Sequence, residues 1–386
     1  MKIIIAADIF PPDIGGPATY SKNLAKELVK KGHKVLVVCY GNNNEKNEIN
    51  DFEIIKINRS KPVFFRYLDY FLTVLKQGKN FDLIFAQGPV SSGFPVMIAT
   101  KILRKKFIVK VVGDYAWEQG KNRFKIKDGI DEFQNKKYGF KVEVFKFIQK
   151  LVVKNAKKII TPSYYLRDIV KGWGVKEKNI EVIYNAINLD NIFVIDKNSA
   201  QEKIKIKGKI VFSVGRLVCW KGFKMLINIW KEILKKDENL KLVIAGDGPE
   251  KEKLEKIIKN NDLEKSVFLV GRIARKDLIY YFNSSEIFVL NSGYEGLSHV
   301  LIEVMSCGLP AIASNKGGNK EIIKDEHNGM LVEYNNSEKW EQAILKLLAD
   351  ENLRKKFVDN STRNLKKFEY FEMINKTLKV LESMLK

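Results

Sequence analysis

Arg216 and Lys221 stand close together in Gly215-Arg216-Leu217-Val218-Cys219-Trp220-Lys221-Gly222, directly behind a short apolar run. A guanidinium makes paired, charge-assisted bonds to phosphate oxygens, and a lysine adds a mobile point charge, so the two together suit a diphosphate. Two cations at the start of a helix also oppose its macrodipole, which disfavours a purely structural placement. A second cluster runs from Ser292 to Glu303. Glu295 falls in a loop, whereas Glu303 lies inside an otherwise apolar helix, with Val300-Leu301-Ile302 before it and Val304-Met305 after it. A carboxylate in that setting either accepts from two vicinal ribose hydroxyls or is an ordinary solvated position. Gly15-Gly16-Pro17 and Gly317-Gly318-Asn319 are glycine pairs entering helices. Each either presents backbone N–H groups to an anion or is simply a tight turn. Gly246-Asp247-Gly248-Pro249 lacks the third glycine of a dinucleotide fingerprint, which disfavours a redox cofactor. No Asp-x-Asp occurs, so no carboxylate pair is evident for a divalent ion. No metal and no cofactor are expected, and Arg216, Lys221 and helix dipoles would have to neutralise an anionic leaving group.

Such residues act only if they are held at the carboxyl ends of strands, where open α/β sheets bind ligands. The apolar pattern supplies those strands. Short runs near 2–7, 34–39, 52–58, 82–86, 106–112, 158–161 and 180–184 alternate with helical-period segments, and the alternation restarts at 209–214 and continues to 329–332. This predicts two doubly wound, Rossmann-like α/β domains, over residues 1–190 and 205–365, with 185–208 as the linker. The tail has no strand to follow, so a helix over about 366–386 is expected to lie back across the first domain. With 386 residues, the chain is long enough for two cores of ordinary size.

The formal charge of +22 is uneven: residues 1–190 hold 34 Lys and Arg against 19 Asp and Glu, while the rest hold 34 against 27. A basic first half either favours polyanions, whether nucleic acid, an anionic membrane face or a phosphate-bearing acceptor, or reflects only a Lys-rich proteome. Cys39, Cys219 and Cys307 are far apart and the histidines are three, so neither a disulfide framework nor a zinc cluster is legible. The start reaches Asp8 too early for a signal sequence, and no apolar run approaches the roughly 18–20 residues of a membrane span. The expected location is cytoplasmic, with peripheral membrane contact.

Taken in order, Val214-Gly215-Arg216-Leu217 with Lys221-Gly222, Ala245 to Pro249, Glu295 to Glu303 and Ala311 to Glu321 resemble the successive signatures of glycosyltransferase family 4. These are retaining transferases of the B-type (GT-B) fold. The resemblance implies that Arg216 and Lys221 bind the diphosphate of a nucleotide-sugar donor and stabilise it as it leaves. Glu303 would hold the ribose, and Glu295 would sit by the donor sugar with the amides of Gly296, Leu297 and Ser298. Backbone at Arg272 and Ile273 would face the base, and Gly15-Gly16 would approach the distal phosphate. Many relatives carry a histidine where this chain has Gly113-Asp114-Tyr115. Asp114 either takes over by bonding a sugar hydroxyl or orienting the acceptor, or caps a loop.

The expected activity is therefore hexosyl transfer from a UDP- or GDP-sugar to a glycan or lipid-linked acceptor. The segments 64–72 and 141–150 mix aromatic, aliphatic and basic residues, either to lie on a membrane surface or to pack on the sheet. Three rivals have distinguishing marks. An epimerase of the same fold would convert the donor without an acceptor, a nucleic-acid binder would carry a recognisable motif, which is absent, and a binding-only relative would have lost Arg216, Lys221 or Glu303.

Overall fold

The computed structural model describes residues 1–386 except 14, 43–50, 188–192, 194 and 386. It divides into two compact units, one of Met1–Tyr184 with Phe371–Lys386 and one of Asn185–Tyr370.

The first unit is built on strands β1 (Lys2–Ala7), β2 (Lys34–Gly41), β3 (Glu53–Asn58), β4 (Leu83–Ala86), β5 (Phe107–Lys110), β6 (Lys158–Thr161) and β7 (Ile180–Val182). They form one sheet in the order β3-β2-β1-β4-β5-β6-β7, every pair parallel. Ile3 to Ala7 are wholly buried, as expected of a parallel strand covered on both faces. The last helix, Tyr370–Ser383, packs on this unit through Met373, Ile374, Leu378 and Leu381, and its Thr377 Oγ1 lies 3.4 Å from the Tyr20 hydroxyl.

The second unit uses β8 (Lys209–Val214), β9 (Leu240–Ala245), β10 (Val267–Gly271), β11 (Ile287–Leu290), β12 (Ala311–Ser314) and β13 (Met330–Val332). Their order is β10-β9-β8-β11-β12-β13, again all parallel. Helix Phe223–Leu234 buries Phe223, Leu226, Ile227, Trp230 and Ile233, the spacing of one helical face, into a core shared with Trp340 and Phe357. Each sheet reverses its winding once, between β1 and β4 in the first unit and between β8 and β11 in the second. A crevice opens at the carboxyl ends of the strands flanking such a reversal. The loops that follow β8 and β11 are those carrying Arg216, Lys221 and Glu295.

The expected linker is more structured than its composition suggests. Residues Lys197–Ile204 form a helix whose first turn is capped by Asp196, accepting from Ser199 N at 3.0 Å. Ile195 N donates to Asn283 Oδ1 at 3.0 Å, and Lys197 pairs with Glu286. Only Ala200 is buried in that helix, so its apolar signal is faint.

Candidate functional site

In the second unit, strand β8 ends at Val214 and the chain runs through Gly215 and Arg216 into a short 3-10 turn, Cys219–Lys221. Gly222 follows with φ +65°, and helix Phe223–Leu234 begins. Gly222 is obligatory on two counts. Its conformation is left-handed, and a Cβ there would lie 2.2 Å from Asn291 O and 2.3 Å from Asn291 Nδ2. Asn291 is itself fully buried, donating to Gly222 O at 3.2 Å and to Asn335 Oδ1 at 2.8 Å. Gly293 N also donates to Trp220 O at 2.6 Å, so the loops after β8 and β11 are tied directly to one another.

That tie brings Lys221 Nζ to 2.5 Å from Glu295 Oε1, with both side chains about five-sixths buried. The stem of Lys221 runs back over Gly215, where a Cβ would stand 3.6 Å from its Cδ and Cε. Arg216, one residue on, is exposed and makes no side-chain hydrogen bond or ion pair among the described residues. The loop thus offers one neutralised cation and one open cation at the winding reversal.

The flanking glycines serve a purpose that their local sequence does not disclose. A Cβ at Gly246 would stand 1.9 Å from Gly215 O, and one at Gly248 would stand 2.5 Å from Leu217 O. Leu217 N donates to Asp247 O at 2.9 Å and Gly215 N to Ala245 O at 3.0 Å, so this turn braces the Arg216 loop from behind. Gly317 and Gly318 do the same for Glu295 and Gly296, at 2.2 Å and 2.4 Å from the respective carbonyl oxygens. Gly318 N donates to Glu295 O at 2.8 Å, so that amide is committed to the loop.

Ser298 caps helix His299–Ser306, accepting from Leu301 N at 3.4 Å, and Leu297 is buried beside it. Glu303 is held one turn inside this helix, where its Oε1 meets Arg275 Nη2 at 2.5 Å. Sequence reasoning passed over Arg275, which opens a 3-10 turn directly after Arg272 and Ile273, the residues that follow β10. Arg272 is exposed and Ile273 half-buried.

The remaining expected site residues lie in the first unit. Gly15 and Gly16 open helix Gly16–Lys30 behind β1, with Thr19 N donating to Gly15 O at 3.1 Å. Asp114 is fully buried and caps helix Tyr115–Phe124. Its Oδ1 accepts from Trp117 N at 3.0 Å and Gln149 Nε2 at 2.9 Å, and its Oδ2 accepts from Gln134 Nε2 at 2.7 Å. The Asp114 carboxylate thus caps one helix and joins two others, the capping reading among those its sequence offers. At the winding reversal of this sheet, Asp8 follows β1 with an Oδ1 that is buried and has no hydrogen-bond partner among the described residues. Burial raises its pKa, and the polar groups of Ser92 oppose that rise.

Among the described residues no group of three or more His, Cys, Asp or Glu is placed to hold a metal ion.

The chain matches the family model described as Glycosyltransferase Family 4 over residues 14–191 and that described as Glycosyl transferases group 1 over residues 194–364. A Campylobacter jejuni protein named N-acetylgalactosamine-N,N'-diacetylbacillosaminyl-diphospho-undecaprenol 4-alpha-N-acetylgalactosaminyltransferase is 34% identical over 247 residues, which span 64% of this chain and 65% of that one. An uncharacterised glycosyltransferase of Methanocaldococcus jannaschii is 27% identical over 407 residues, covering 100% of this chain and 99% of the other. Among solved structures, sucrose-phosphate synthase from Thermosynechococcus elongatus superposes with a TM-score of 0.82 at 19% identity, covering 99% of this chain and 98% of that one. Anabaena HepE in complex with UDP-glucose gives 0.80 at 18% identity, covering 99% and 100%. These two likenesses are of fold, and the fold is GT-B. With the two family models laid end to end over nearly its whole length, the chain belongs to glycosyltransferase family 4.

Proposed function

We propose that the chain is a retaining, metal-independent hexosyltransferase that uses a UDP-sugar donor and a glycan or lipid-linked acceptor. The observation that carries this reading is the pairing of an open cation, Arg216, with the largely buried Lys221–Glu295 ion pair at the β8/β11 reversal. Cations held by a braced loop stabilise a diphosphate more as it departs than while it is esterified, which is the requirement for catalysis. In this reading the bond between the anomeric carbon and the diphosphate breaks toward an oxocarbenium-like state. The negative charge gathers beside Arg216 and Lys221, and the acceptor oxygen attacks from the face the diphosphate leaves, passing its proton to the departing phosphate oxygen. Glu295 then faces the donor sugar, Glu303 the ribose, and backbone at Arg272 and Ile273 the base. Gly15 and Gly16 are assigned to the distal phosphate. Asp114 is left with a structural part.

UDP is favoured over GDP by the HepE complex with UDP-glucose. The donor is tested by thermal shift with UDP, GDP, ADP and their sugar conjugates, each with and without EDTA. UDP at about 100-fold its Kd should stabilise the protein by about 2.7 kcal/mol, and EDTA should leave the shift unchanged. A shift abolished by EDTA would remove the metal-independent reading, and no shift with any nucleotide would remove the donor assignment.

A lipid-linked acceptor is favoured by the undecaprenol named in the Campylobacter relative and by one surface of the first unit. Helix Val63–Gly78 exposes Phe64 (72%), Phe65, Leu68 and Leu72, and helix Phe140–Asn155 exposes Phe140 (84%) and Phe147. Helix Gly93–Leu103 packs against both, and lysines such as Lys61, Lys76, Lys141 and Lys150 are interspersed. Aromatic and aliphatic groups among lysines suit the interface of an anionic bilayer. No helix among the described residues is long and apolar enough to cross a membrane. Flotation should recover the protein with vesicles containing anionic lipid at low salt and release it at high salt; no recovery at low salt would remove the membrane from this reading.

A further inference from the structure

Glu303 does not stand alone: the guanidinium of Arg275, from the turn after β10, reaches its Oε1. We infer that Arg275 is a positioning residue of the nucleotide pocket, holding the Glu303 carboxylate aimed so that it accepts both ribose hydroxyls. The inference rests on the reading of Glu303 as the ribose ligand.

The geometry carries it in three steps. Glu303 lies on an apolar helix with its side chain 17% exposed, where few waters compete for its oxygens. Arg275 reaches it from the 3-10 turn, and Cys307, one turn on in its own helix, has its thiol pushed up to about 12 by burial and then by the charge on Glu303. The guanidinium of Arg275 is a cation in direct contact with the carboxylate. Because Arg275 is itself 57% exposed, the pair contributes little to folding, as exposed ion pairs generally do. Its effect is on a ligand: a donated hydrogen bond fixes the rotation of the carboxylate and leaves Oε2 for a diol. The same contact ties Arg272 and Ile273, three and two residues upstream, to the helix that bears Glu303, so base and ribose contacts are set by one linkage.

The test is titration of UDP into the whole protein by calorimetry, with Arg275→Ala, Arg275→Lys and Glu303→Gln compared with wild type. Arg275→Ala should weaken UDP by about ten-fold, with Arg275→Lys intermediate and the unliganded melting temperature nearly unchanged. At saturating UDP-sugar, kcat should change by less than about three-fold, with the effect in the donor KM. If Glu303→Gln weakens UDP and Arg275→Ala binds it as well as or better than wild type, this inference is overturned and the ribose assignment stands. If Glu303→Gln binds UDP like wild type, the ribose assignment fails, and the role of Arg275 fails with it.

Discussion

Arg216→Ala should lower kcat by about 10²- to 10³-fold, the range expected when one donor to a developing negative charge is removed. The size of the effect follows from the unequal state of the two cations in the loop. Lys221 is already matched by Glu295, so part of its attraction for an incoming phosphate is spent within the protein. Arg216 has no such partner among the described residues, and its planar fork can meet two phosphate oxygens at once. Single-turnover measurement with a UDP-sugar isolates the step. Arg216→Lys should restore a minor part of the rate, since it returns the charge without the fork. A kcat near wild type in Arg216→Ala, with the protein folded, would take Arg216 out of the mechanism.

Gly246→Ala should be among the most damaging single methyl additions available to this chain, although Gly246 is assigned no contact with substrate. Its φ is +144°, and the new Cβ would stand 1.9 Å from Gly215 O and 3.0 Å from Gly215 C, which are backbone atoms that cannot swing aside. Relief requires the Arg216 loop to move away from the turn that braces it, at the expense of the hydrogen bonds Gly215 N–Ala245 O and Leu217 N–Asp247 O. A loss of more than about 3 kcal/mol is expected, with little soluble protein or a sharply lowered melting temperature. Gly172→Ala is the control, because nothing lies within 4 Å of a Cβ there, and it should change stability by less than about 0.5 kcal/mol. A Gly246→Ala protein that melts like wild type would mean that the close approach of the two loops is not rigid.

These two residues also mark what can be read from sequence. Arg216 was legible because its chemistry is local: a cation behind an apolar run and ahead of a helix. Gly246 and Gly248 looked like an incomplete dinucleotide turn because the carbonyls they admit, Gly215 O and Leu217 O, belong to another loop. Arg275 was passed over for the same reason, since it gains meaning only from Glu303, 28 residues away. The alternation of apolar runs and helical segments was enough for both parallel sheets, because strands covered on both faces are apolar throughout. It missed helices Tyr115–Phe124 and Ile130–Asn135, in which polar residues predominate and few side chains are buried. Asp114 shows the limit from the other side. A carboxylate in place of an expected histidine invites a chemical reading, and only its three donors, Trp117, Gln149 and Gln134, reveal a cap.

The bracing of one loop by the next bears on how this chain can change its donor. The loop carrying Arg216 fits only against Gly246 and Gly248, and the loop carrying Glu295 fits only against Gly317 and Gly318. Each pair behaves as one heritable cassette. A graft that brings in the Arg216 loop of a relative without its bracing turn would meet the wrong backbone, however well its side chains suited the new nucleotide. New donor preferences should therefore arise through side chains that project from fixed loops, or through exchange of two distant segments together, and single-loop chimaeras should seldom fold.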